Sequence, residues 1–206
     1  MEFALTIEGL DAGGYIADLS PEKVALAASR AINKIADKAR TQADRAVRQQ
    51  IAFPARYLGP ASKRLWVQKK ASYSSMEAVV RGRGRPTSLA TFSKSKLMAP
   101  GKRHKRGEVD VTVKPGQRKF IKRAFIMRLR NNNLGLAVRT NGGPPPGAYR
   151  PTRITDRLWL LYGPSVDQAL INSRHEGIYE EISDEMLTAL EVEFMRLIEL
   201  EMRSDA

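Results

Sequence analysis

The chain has 206 residues, 35 Lys and Arg against 22 Asp and Glu, and no cysteine, which leaves a formal net charge of +13. It is long enough to bury a core without staples. The missing thiols exclude disulfide frameworks, thiolate nucleophiles and cysteine-based zinc sites, and so large a basic surplus points to a polyanionic or acidic partner.

Residues 1–10 lack the basic segment and the apolar run of a secretory signal, and no stretch approaches the ~20 apolar residues that cross a bilayer, so no membrane partner is expected. Phe3, Leu5 and Ile7 alternate with Glu2, Ala4, Thr6 and Glu8, the period of two that marks a strand with one buried face. Ser20-Pro21-Glu22 then starts a helix: Ser caps free N–H groups, Pro fits the first turn and Glu suits the positive dipole end. Val24, Ala28, Ala31, Ile32, Ile35, Ala39, Ala43, Ala46 and Val47 recur at helical spacing, carrying the helix to about Gln50. Phe53-Pro54 and Gly59-Pro60 end it.

Residues 61–72 mix Leu65, Trp66 and Val67 with four cations, and periodicity leaves strand and helix open; a short helix is preferred. Met76 to Val80 and Glu108 to Lys114 read as short strands paired with one another. Between them lies a long basic loop at about 81–107, with Arg81, Arg83, Arg85, Lys94, Lys96, Lys102, Arg103, Lys105 and Arg106 among Gly and Pro. Phe120 to Leu129 and Leu134 to Arg139 flank Asn131-Asn132-Asn133, a hairpin whose turn residues tolerate positive φ. Residues 142–147 hold Pro144-Pro145-Pro146, a stiff surface loop, and Leu158 to Tyr162 is a brief strand.

Ser183 is expected to cap a last helix with an apolar stripe of Ile182, Met186, Leu187, Leu190, Phe194, Leu197 and Ile198 and glutamates on its solvent side. The whole reads as an α+β fold. A small, mostly antiparallel sheet of about five or six strands is packed by the first and last helices. Residues 1–180 would form one domain, and 181–206 an acidic amphipathic helix on that domain or on a neighbouring subunit.

Charge is unevenly distributed. Residues 1–160 hold 32 basic and 11 acidic side chains, while 161–206 hold 3 and 11. A basic body with an acidic tail can satisfy itself within one molecule or between identical neighbours. Met186, Leu190, Phe194 and Leu197 are accordingly the candidate subunit-interface stripe.

Catalytic and metal-ligating constellations do not emerge. His104 and His175 have no partner at ligand spacing. Ser165 lacks the second glycine of a nucleophile elbow and reads as a turn and helix cap. Arg81-Gly82-Arg83-Gly84-Arg85 lacks the third glycine and following helix of a phosphate loop. The chain is thus expected to be no enzyme, with no catalytic residues, metal, cofactor or small-molecule substrate. The basic loop could neutralise nucleic-acid phosphates or dock on an acidic protein. Phe92 is its only aromatic, so a base-stacking platform is missing and docking is preferred.

A succession of segments carries a resemblance: Ala31-Ile32-Asn33 in an alanine-rich helix, Val111-Thr112-Val113 before Gly116, Ala124-Phe125-Ile126, Arg139, and Tyr162-Gly163-Pro164-Ser165-Val166. In this order, over roughly residues 1–172, the chain resembles the bacteriophage minor tail protein Z family, also called tail completion proteins. The resemblance implies a non-enzymatic structural protein of the virion, made in the host bacterial cytoplasm. It would sit at the head-proximal end of the tail, where tail meets neck around the DNA channel. It further implies a homo-oligomeric ring, a hexamer, beside the tail tube or tail terminator protein and the neck or head-completion proteins, with DNA in the channel as a possible contact. The alternative is a nonspecific nucleic-acid-binding basic protein.

Overall fold

The computed structural model describes residues 2–6, 19–94, 108–147, 149–171 and 176–204. The fold is α+β, with helices near both ends of the chain and antiparallel sheets between them. Two compact units form, one from Met1–Ala46, Pro60–Arg83 and Leu170–Ala206, the other from Val47–Gly59 and Gly84–Ala169.

In the first unit, strand β1 (Glu2–Thr6), helix α1 (Pro21–Gln50, of which the end from Val47 falls in the second unit), strands β2 (Leu65–Lys69) and β3 (Glu77–Gly82) and helix α3 (Glu176–Ser204) follow in chain order; the short helix α2 (Val166–Leu170), which precedes α3, falls in the second unit up to Ala169. α1 begins as its sequence dictates: the Ser20 carbonyl accepts from the N–H groups of Lys23 and Val24, at 3.0 and 3.2 Å. Its alanine-rich face is buried at Ala27, Ala31, Ile32, Ile35, Ala36 and Ala43. Asn33 explains itself here. Its Nδ2 donates to the Ala71 carbonyl at 2.9 Å and its Oδ1 accepts from the Ala71 N–H at 2.8 Å, satisfying a buried non-helical backbone from a helix.

The sheet of this unit runs β1-β3-β2, all antiparallel. The preferred short helix over residues 61–72 is therefore corrected: only a 3-10 turn at Pro60–Ser62 is helical, and Leu65–Lys69 is strand β2. Pairing with β3 decided it, a non-local force that a five-residue window does not register. β3 also pairs with β1 and β2, not with the strand from Glu108.

α3 starts at Glu176, so Ser183 lies inside the helix and is not its cap. Its apolar stripe is buried at Met186, Leu190, Phe194 and Ile198, whereas Leu187 is 46% exposed. α3 runs antiparallel to α1, as three ion pairs show: Lys38 with Glu185 at 3.7 Å, Lys34 with Glu193 at 2.6 Å, and Arg30 with Glu201 at 3.2 Å.

The second unit contains β4 (Thr87–Ser88), β5 (Glu108–Lys114), β6 (Gln117–Lys122), β7 (Ala124–Arg128), β8 (Leu134–Arg139), β9 (Arg150–Thr155) and β10 (Leu158–Gly163). Its main sheet has the order β4-β10-β8-β7, with β9 on β10, and β5 and β6 form a separate hairpin. Gly116 at φ +74° makes the tight turn of that hairpin, a conformation glycine adopts without steric cost. The stretch from Phe120 to Leu129 is two strands instead of one, because Arg123 at φ +57° breaks it. The Asn turn is as expected, with Asn132 at φ +64° and the Leu129 N–H donating to the Asn133 carbonyl at 2.8 Å.

Ala124, Ile126, Leu136, Val138 and Leu161 are buried, as are Val109 and Val111 of β5 and Leu89 and Phe92 of a 3-10 turn at Leu89–Phe92. Phe125, Ala137 and Leu160 form a smaller buried cluster, covered by Met127, Leu129, Leu158 and Tyr162. The corner Gly163-Pro164-Ser165 is structural. A Cβ on Gly163 would lie 3.0 Å from Leu89 Cδ2, and the Pro164 carbonyl accepts from the Thr87 N–H at 3.4 Å. Ser165 Oγ accepts from the Gln168 N–H at 3.0 Å while Gln168 Oε1 accepts from the Ser165 N–H at 3.2 Å, a reciprocal cap that starts α2.

Candidate basic cleft

The proposed basic loop is placed only in part by the structure. Arg81 lies in β3, where its Nη1 donates to Gln68 Oε1 at 3.2 Å, and the Arg83 N–H donates to the Arg64 carbonyl at 2.8 Å, extending the ladder. Arg85 and Lys94 are exposed in the second unit, and the residues between them include β4 and the buried 3-10 turn, so this span is not loop throughout. Lys96, Lys102, Arg103, Lys105 and Arg106 lie outside the described residues, as do His104 and His175. Phe92 is in the core, 5.3 Å from the Phe53 ring.

A different group of cations is brought together in the second unit. β6 and the corner after it supply Lys119, Lys122 and Arg123, the end of β8 supplies Arg139, and together with the proline-rich loop they line a cavity of about 470 Å³. Val138 and Leu161 form its buried floor, and Pro144, Pro145 and Pro146 one wall. Three devices hold this shape. The left-handed Arg123 turns the chain from β6 into β7, and its carbonyl accepts from the Arg139 N–H at 3.1 Å, tying the corner to β8. Arg123 Nη1 donates to Asn141 Oδ1 at 3.2 Å. Thr140 Oγ1 donates to the Gly143 carbonyl at 3.0 Å, and the Thr140 N–H to the Arg157 carbonyl at 2.9 Å, fixing the start of the proline loop.

The electrostatics of the cleft are one-sided. No Asp or Glu lines it, and among the described residues none of its four cations meets a carboxylate. Arg139 lies over the Phe125 ring at 5.2 Å and Arg123 has a neutral amide partner, so neither is matched by a carboxylate. Tyr149, on the cleft wall, has its hydroxyl pKa pushed up by burial and stays neutral. The outer face of the β5–β6 hairpin behaves differently. There Arg118 pairs with Asp110 at 3.1 Å and lies 5.0 Å from the ring of Phe120, itself 61% exposed; Lys122 of the cleft is opposite Glu108 in the strand register but forms no ion pair with it. That face is balanced in charge; the cleft is not.

Its side chains offer several hydrogen-bond donors beside apolar surface, an arrangement suited to binding. Among the described residues no group of three or more His, Asp or Glu could hold a metal ion, and no helix is long and apolar enough to cross a membrane.

The candidate interface stripe lies within the first unit. Met186, Leu190 and Phe194 are buried and Leu197 is partly buried. Glu193, assigned by its sequence position to the solvent side, is 8% exposed. It accepts from Arg196 and Lys34, both at 2.6 Å, and those bonds, Arg196 first, hold its carboxyl at about 2 against an ordinary 4.5, outweighing its burial. A glutamate that meets a lysine only in the folded chain has no local sequence signal.

The cleft was legible only in fragments. Gly116, Ala124, Phe125, Ile126, Arg139, Gly163, Pro164 and Ser165, which carry the family resemblance, prove to be turns, core strands, a helix cap and one cleft cation. Arg123 and Lys122 carried no motif. Compared with known proteins, the chain matches a family model described as prophage minor tail protein Z over residues 9–199. No curated protein and no solved structure matches.

Proposed function

This chain belongs to the prophage minor tail protein Z family, a structural component of the phage virion tail, and from that membership we propose that it completes the tail at its head-proximal end. In this reading it joins tail to neck around the DNA channel as a homo-oligomeric ring, a hexamer, against the tail tube or terminator protein on one side and neck proteins on the other. It acts by binding and shape, without catalysis or cofactor.

The observation that carries the reading is the family match over nearly the whole chain. Removing the protein from the phage and imaging the lysate tests the placement. Intact heads beside unjoined tails are expected; normal particles overturn it.

Contact with DNA is the second reading, favoured by the cations of the cleft. Retention of the purified protein on duplex DNA, falling steeply between low and physiological salt, would support it. Indifference to DNA removes it.

A further inference from the structure

We infer that the basic cleft takes the outward face of α3 from a second copy of the chain, head to tail. This rests on the homo-oligomeric reading above and assigns its surfaces. Two observations from opposite parts of the sequence meet here.

The first is the cleft, where Lys119, Lys122, Arg123 and Arg139 stand beside a proline wall and none meets a carboxylate among the described residues. The second is the side of α3 turned away from its buried stripe. Leu187, Val192 and Met195 are 46%, 66% and 40% exposed there, and the exposed Glu191 and Glu199 lie between them at helical spacing. Neither glutamate meets a cation among the described residues, unlike Glu185, Glu193 and Glu201 of the same helix. One surface is therefore apolar with unpaired cations, and the other apolar with unpaired carboxylates.

A nucleic-acid strand would answer the cations but leave the proline wall, exposed at Pro144 and Pro146, without apolar contact. The α3 face answers both. Because the two patches differ, each copy keeps one of each free after pairing, so the contact repeats until the rotation closes it into a ring.

The test uses the full chain and sedimentation velocity at low and physiological salt. Wild type should associate with rising concentration and dissociate as salt screens the contact. Two charge-reversed variants, Lys119→Glu with Lys122→Glu and Glu191→Lys with Glu199→Lys, should each stay monomeric over a tenfold wider concentration range. Their equimolar mixture should associate again, because the reversed cleft of one then meets the reversed α3 face of the other, and their two unaltered patches also match. Circular dichroism and thermal midpoints check folding, and the neutral pairs Lys119→Gln with Lys122→Gln and Glu191→Gln with Glu199→Gln replace the corresponding variant if it fails that check, with a weaker loss expected.

Monomeric wild type at every concentration overturns the inference, as does undiminished association of either variant or a mixture that stays monomeric. Undiminished association with lost DNA retention in the Lys119→Glu, Lys122→Glu variant gives the cleft to nucleic acid instead. The functional reading fails separately: tails that contain the protein while the mixture stays monomeric sink only the inference, and tails that lack it sink only the function.

Discussion

The α1–α3 pair of the first unit and the cleft of the second handle the same basic surplus in opposite ways. Along α1, Arg30, Lys34 and Lys38 each meet a carboxylate of α3, so three acids of the tail are neutralised within their own unit. In the cleft, four cations stand around an apolar floor with no carboxylate among the lining residues. A net charge of +13 is thus a poor guide to where binding occurs. Cations left unpaired beside apolar surface are the better guide, since pairing elsewhere cancels their field.

The largest test of this contrast truncates each region at its aromatic. Phe194 on α3 is 1% exposed, and Phe194→Ala should cost about 3–5 kcal/mol in urea unfolding, as expected for an aromatic removed from a packed core. Next, Asn33→Ala should cost about 1–3 kcal/mol, because both hydrogen-bonding groups of Ala71 lose their partner. A loss below 0.5 kcal/mol would mean that water replaces the amide.

Acid should then separate the regions. The Glu193 carboxyl is held at about 2 by Arg196 and Lys34, below its ordinary 4.5. The unfolded chain therefore binds more protons than the folded one as pH falls, so this stabilisation is complete above about pH 5 and is lost progressively toward pH 2. With both cations half in water, the loss should be about 1–2 kcal/mol. Glu193→Gln should flatten that part of the stability profile; an unchanged slope would remove Glu193 as its source. The smallest effect belongs to the second unit. Phe120→Ala should change stability by no more than about 0.5 kcal/mol, since the ring is 61% exposed. A larger loss would show that the hairpin leans on that ring.

Several elements were legible in local sequence because local forces made them. The Ser20 start and alanine stripe of α1, the Asn turn between β7 and β8, the Ser165 cap and the period-two valines of β5 each carry their cause within a few residues. β9 gave no such signal: all six of its residues, Arg150–Thr155, are exposed, so it lacks alternation and exists only because β10 pairs with it. β2 was misread for the same reason, as its strand state comes from β3.

The sequence by itself determined the α+β class, the two long helices and the separation of a basic body from an acidic end, because propensity, capping and composition act within a window. Tertiary structure decided which charges cancel. It set Glu193 between Lys34 and Arg196, assigned β3 to β1 and β2, and used a left-handed Arg123 to gather cations from β6 and β8 around one apolar floor. Those outcomes depend on contacts between residues far apart in the chain, and loop closure and strand pairing fix them only when the whole unit folds.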